Sequence, residues 1–249
     1  MTLRLTSRRN PVLARIRALG ADAAARREAG VLVGDGIKLL REALAAGYTP
    51  ETVLWAEEAA LPLPEGVAQY VLPAELLRWI SPLKNSPGPV FTVSFPQWDA
   101  GAPAKTVLAL EGVQDPGNVG TVLRTANALG VDVVALLGNC ADLWHPKTVR
   151  ATMGAVFRQR TLVTDLAGLL DFLEAQELPL YGAALSPEAR DVRRVDLRRA
   201  CVAVGSEGQG LSRELLGRCQ GQVILPMEPG SESMNAAVAA ALLMWQMCR

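Results

Sequence analysis

Three short stretches carry residue types that could do chemistry on a bound ligand: Asp115-Pro116-Gly117-Asn118-Val119-Gly120, Gly205-Ser206-Glu207-Gly208-Gln209-Gly210, and Leu225-Pro226-Met227 followed by Ser233-Met234-Asn235. Each follows a strand-like apolar run, and small residues at such a strand end let backbone amides and carbonyls approach a ligand closely. Arg124, just after the first loop, offers a planar and permanently charged fork suited to phosphate. Asn118, Ser233 and Asn235 offer neutral donors and acceptors. Ser233 as an activated nucleophile would need an imidazole base, and the single histidine, His145, is far away in sequence.

Other chemistries find little support. The order Gly205-x-x-Gly208-x-Gly210 reverses the dinucleotide fingerprint G-x-G-x-x-G, and no P-loop pattern occurs. The four cysteines, Cys140, Cys201, Cys219 and Cys248, form no C-x-x-C pair, so neither a metal site nor a disulfide framework is indicated.

The loops need elements to hold them. Thr106–Leu110, Val131–Leu137, Leu180–Ala184, Cys201–Val204 and Gln222–Leu225 are short, mostly unalternating apolar runs. Such runs suit strands buried on both faces, and the helical stretches between them imply a parallel sheet in an α/β domain. A helix over 119–129 closes at Gly130, with Arg124 in its second turn. Upstream, helical patterns over 11–19, 22–29, 37–46 and 74–80 alternate with strand-like runs at 31–33, 52–55, 70–72 and 90–95, a smaller α/β unit. The segment 98–105, with its proline, glycine and lack of period, reads as a linker. The expected division is 1–97, linker 98–105, and 106–249.

With 249 residues and 50% hydrophobic content the chain can bury a substantial core. Basic and acidic residues balance at 25 each, so no global field draws it to nucleic acid or to an anionic membrane. Locally the balance breaks. Arg4, Arg8, Arg9, Arg15, Arg17, Arg26 and Arg27 crowd the first thirty residues, and Lys147, Arg150, Arg158 and Arg160 stand in a stretch without an acid. Both patterns fit a solvated surface, and beside a ligand loop the second is also a candidate contact for RNA phosphates. The start has no apolar core of a secretory signal, and the longest charge-free apolar run, 236–247, falls short of the ~20 residues that span a bilayer. The expected location is the cytoplasm, with no membrane partner.

The run Asp115-Pro-Gly-Asn-Val-Gly-Thr-Val-Leu-Arg-Thr-Ala-Asn-Ala-Leu-Gly130, with Val204-Gly-Ser-Glu-Gly-Gln-Gly-Leu-Ser212, Leu225-Pro-Met227 and Ser233-Met-Asn235, resembles the three motifs of the SpoU-type (TrmH-like) branch of the SPOUT methyltransferases. The resemblance covers about 106–249. More loosely, Arg9-Asn10-Pro11 and Val33-Gly-Asp-Gly36 are similar to the ribosomal-protein-like substrate-binding domain that often precedes it. It implies an α/β SPOUT domain with a parallel sheet and a deep trefoil knot, and a homodimer formed through that domain. It also implies transfer of a methyl group from S-adenosylmethionine to a ribose 2′-hydroxyl. The N-terminal domain favours ribosomal RNA; transfer RNA and a non-catalytic RNA-binding assembly factor are the alternatives. Carried over by motif, Arg124, Asn118, Ser233 and Asn235 are the catalytic set, and Gly205, Glu207, Leu225, Met227 and Met234 hold the cofactor. Glu207 either binds the cofactor or holds the loop. Lys147, Arg150, Arg158 and Arg9 are the expected RNA contacts. This chain has Met234 where the family usually has leucine, a swap that keeps volume and apolarity.

Overall fold

A computed structural model describes residues 2–56, 58, 61–84, 86, 88–99, 101–228 and 233–249. In chain order the elements are β1 (Thr2–Arg4), α1 (Pro11–Ala21), α2 (Ala23–Ala29), β2 (Val31–Asp35), α3 (Ile37–Ala45), β3 (Thr52–Ala56), β4 (Ala68–Leu72), α4 (Ala74–Ile80) and β5 (Val90–Ser94). There follow β6 (Thr106–Glu111), α5 (Pro116–Leu129), β7 (Val133–Leu137), α6 (Pro146–Ala151), β8 (Thr161–Thr164), α7 (Leu166–Ala175), β9 (Leu180–Ala183), β10 (Arg190–Asp191), β11 (Ala200–Gly205), α8 (Arg213–Leu216), β12 (Gly221–Ile224) and α9 (Ala236–Met247).

Contacts divide the chain into two units, one from the described residues up to Gln97 together with Asp142–Arg158, the other from Trp98–Ala141 and Gln159–Arg249. The first holds a five-stranded sheet in the order β1-β4-β3-β5-β2, parallel from β1 to β3 and antiparallel across β5. Strand side chains alternate between faces. Val31, Val33 and Leu54 thus pack with Leu13, Ile16 and Leu77, whereas Leu32, Val53 and Trp55 pack with Leu40, Phe91, Val149 and Phe157 on the other face.

That second face corrects the expected boundaries. Segment 142–158 falls within the expected 106–249 domain, yet Val149, Val156 and Phe157 are buried in the core of the first unit. Apolar burial, rather than sequence proximity, decides where a segment belongs. Residues 98–105 are not a free linker either. Trp98 Nε1 donates to Thr161 Oγ1 at 3.3 Å, Ala104 N donates to Gln176 Oε1 at 2.8 Å, and the Ala104 side chain is buried in the second core.

The second unit is a seven-stranded, all-parallel sheet in the order β10-β12-β9-β11-β6-β7-β8. The five strands read from the sequence are present, joined by β8 and β10 at the two edges. Those two lack a long apolar run because an edge strand has a neighbour on one side only; Val163 of β8 is 66% exposed. No helix among the described residues is long and apolar enough to cross a membrane.

Candidate active site and cofactor cavity

Asp115 caps α5 by accepting from Asn118 N at 2.8 Å, and Pro116 occupies the first turn, where its missing N–H costs nothing. The cap fixes Asn118 in that turn, and its Nδ2 donates to Glu207 Oε1 at 2.6 Å, across 89 residues of chain. Asn235 caps α9: its Oδ1 accepts from Ala237 N at 3.0 Å and Val238 N at 3.3 Å. Its Nδ2 is thereby turned toward the other two loops, donating to Asn118 Oδ1 at 3.2 Å and Glu207 Oε1 at 3.5 Å. Ala236 N adds a bond to the same Glu207 oxygen at 3.3 Å. One carboxylate oxygen therefore ties all three loops together. Ser233, two residues before Asn235, makes no cap.

The middle loop folds back on itself. Gly210 N donates to Ser206 O at 2.9 Å, and a Cβ placed on Gly205 would fall 2.0 Å from the backbone carbon of Gly210, so only glycine fits there. Glu111, at the end of β6, grips the loop's exit by accepting from Ser212 N and from Ser212 Oγ, both at 2.7 Å.

Beyond the strand ends lies a cavity of about 490 Å³. Gly205, Glu207, Leu225, Met227, Ser233 and Met234, all expected site residues, line it. Asn118 and Asn235 are not in its wall and reach it through Glu207. Arg124 is not in the wall either. It is exposed on α5, and its side chain has no hydrogen bond or ion pair among the described residues. The cavity would suit a cofactor with an apolar heterocycle and a positively charged centre: Val204, Leu211, Leu225 and Met234 supply apolar walls, and Glu207 supplies a carboxylate.

The expected RNA contacts belong to the chain's other unit. Arg9, Lys147, Arg150 and Arg158 are all exposed there, and Arg158 Nη1 pairs with Glu42 Oε2 at 2.6 Å. His145 caps α6, its Nδ1 accepting from Lys147 N at 3.2 Å, which is a structural use of the imidazole. Burial and the Arg26 guanidinium lower its pKa, against the opposing pull of Asp142.

Residues 105–245 match the model of the SpoU rRNA methylase family. The chain belongs to that family. It is 33% identical to an uncharacterised tRNA/rRNA methyltransferase of Synechocystis, over 97% of this chain and 92% of the relative. It is 31% identical to the 23S rRNA (guanosine(2553)-2′-O)-methyltransferase RlmP of Bacillus subtilis, over 86% of each. It superposes with a TM-score of 0.87 on the crystal structure of an AdoMet-bound rRNA methyltransferase from Sinorhizobium meliloti, at 25% identity over 99% of this chain and 97% of that one.

Within this SpoU-family chain, two groups of site residues escaped the motif reading. Glu111 carried a signal, since an acid ends an otherwise apolar run, but its partner Ser212 is 101 residues away. Ala183, Ala184 and Leu185 line the cavity beyond β9 and carry no motif at all.

Proposed function

We propose that this SpoU-family protein methylates a ribose 2′-hydroxyl of ribosomal RNA with S-adenosylmethionine as methyl donor. The observation that carries the reading is the Asn118–Glu207–Asn235 network beside a cavity walled by Gly205, Leu225, Met227 and Met234. When bound, S-adenosylmethionine supplies a methyl group already activated by its sulfonium charge. The protein's task is therefore to hold the hydroxyl in line and ease the loss of its proton, so positioning supplies much of the rate. The apolar walls hold the cofactor, with Glu207 supplying charge complementarity and keeping the loops in place. Arg124, always protonated, is unsuited to take the proton and acts as a clamp on the adjacent phosphate. A phosphate oxygen or water accepts the proton, and Ser233 orients the reacting groups.

The protein works as a homodimer through α9. Val238, Leu242 and Trp245, at i, i+4 and i+7 along one side of that helix, are 50%, 45% and 56% exposed. An apolar stripe of this size on a helix is a typical subunit contact. The knotted threading implied by the family, and the cytoplasm as the place of work, belong to the same reading.

The test is mass spectrometry of nucleosides from ribosomal and transfer RNA after incubation with the protein and methyl-labelled S-adenosylmethionine. Label on a 2′-O-methyl nucleoside from ribosomal RNA supports the proposal, and label confined to transfer RNA redirects the substrate. Cofactor binding without label in either pool favours a non-catalytic assembly factor.

A further inference from the structure

The second unit carries another cavity, of about 670 Å³, beside the one already described. The cofactor cavity lies over the carboxyl ends of β12, β9 and β11, whereas this one lies over the ends of β11, β6 and β7, the next strands in the same parallel sheet. The loop after β11 is therefore a wall common to both, and Ser206, Glu207 and Gln209 line each of them. A methyl donor on one side of that loop and an acceptor on the other would meet at Glu207, to which Asn118 and Asn235 are bonded.

The wall of the second cavity selects against a phosphate. Three carboxylates, those of Glu111, Asp115 and Glu207, line it against the single guanidinium of Arg213, so its excess charge is negative and repels an anion. Each carboxylate is already engaged: Glu111 accepts from Ser212, Asp115 from Asn118 N, and Glu207 from the loop network. What stands unpaired is mostly neutral. Gln114, Asn139 and Gln209 are exposed, and their side-chain amides have no hydrogen bond among the described residues. Each amide offers two donors and an acceptor, the complement of a nucleobase edge. Gly112 and Gly138, at φ 67° and 60°, leave the backbone between them bare, since a Cβ at either would meet nothing within 4 Å. A flat group can therefore approach closely. The volume falls in the range of roughly 300–1,000 Å³ typical of sites for small organic groups.

We propose that this cavity receives the base of the target nucleotide, turned out of its strand, and that Gln114 and Asn139 read its hydrogen-bonding edge while the attached ribose rests at the Asn118–Glu207–Asn235 junction. Gln209, in the shared wall, contacts base and cofactor sides alike. The inference rests on the methyl-transfer reading and adds to it the residues that choose the base.

The test has two arms, both on the full chain with bulk ribosomal RNA. In the first, methyl-labelled S-adenosylmethionine is supplied and the label is divided among the four 2′-O-methyl nucleosides. The wild type should label one base. Gln114→Ala and Asn139→Ala should each lower kcat/KM about tenfold and spread label to other bases. Neither side chain lines the cofactor cavity, so affinity for S-adenosylmethionine should stay as it was. Arg218→Gln, outside the cavity, should change neither rate nor base. A rate that falls with the same single base labelled would make the two residues structural and overturn the inference; so would unaltered rate and base preference in the double variant, or label spread over several bases by the wild type. The second arm is ultraviolet cross-linking without methyl donor. Nucleotide-bearing peptides that contain Gln114 or Asn139 support the inference, and cross-linked peptides that omit both overturn it. Cross-links at these positions in a wild type that transfers no label would sink only the activity proposed above.

Discussion

Glu207 Oε1 and Asn118 Nδ2 lie 2.6 Å apart although 89 residues separate them, and the same oxygen accepts from Ala236 N. A charged acceptor shared by two loops and a helix end is worth more than a neutral hydrogen bond. Glu207→Ala should lower kcat/KM by about tenfold or more, and Glu207→Gln, which keeps one acceptor oxygen, by less. Calorimetric titration of S-adenosylmethionine beside the transfer assay separates lost cofactor affinity from lost turnover. Equal activity in all three proteins would remove Glu207 from the site.

Arg124 extends from α5 with no partner among the described residues, as a clamp awaiting a phosphate would. Lysine keeps the charge but not the planar fork. Arg124→Lys should cut turnover by about a hundredfold through misplacement of the hydroxyl, with cofactor affinity unchanged. Near-normal turnover would show that charge alone suffices.

Arg26 is almost fully buried and pairs with Asp142 at 2.6 Å, fastening segment 142–158 to the first unit. Its Nη1 also donates to Leu19 O at 2.7 Å. Breaking such a pair strands a charge in a poorly solvated place, so Arg26→Ala should cost about 3 kcal/mol. Asp142→Asn keeps an acceptor for Trp144 N but leaves the more deeply buried Arg26 guanidinium without its counter-ion, and should cost at least as much. Urea unfolding of both variants reads the difference.

His145 is held below its ordinary pKa of 6.5, first by burial and then by Arg26 and Lys147. On acidification the unfolded chain takes up this proton before the folded one does. The contribution is therefore complete above the unfolded value and is lost as pH falls through it. Asparagine preserves the helix cap without titrating. The stability difference between His145→Asn and the wild type should thus shift in favour of the variant between about pH 7 and pH 5; parallel curves would assign the acid sensitivity elsewhere.

Trp245 stands 56% exposed at the end of the α9 stripe. Trp245→Asp places a charge where the proposed subunit contact is apolar and should turn a dimer into a monomer in light scattering. A wild-type monomer would refute the contact.

The sequence by itself determined most of the elements and the small-residue loops at the strand ends. Strand runs buried on both faces, helix stops such as Gly130 and caps such as Asp115 are local features, set by sterics and by hydrogen bonds within a few residues. The glycine, serine and asparagine loops were equally legible, because a ligand held by backbone requires small residues in a row. Tertiary structure decided the rest. That Glu207 is the junction of three loops and that Glu111 holds Ser212 depend on contacts across 28 to 101 residues, which no local period encodes. The membership of segment 142–158 is of the same kind. Its apolar residues Val149, Val156 and Phe157 would fit any core of matching volume, and only the apolar surface that Leu32 and Phe91 of the first sheet form with Leu40 of α3 selects the one they fill.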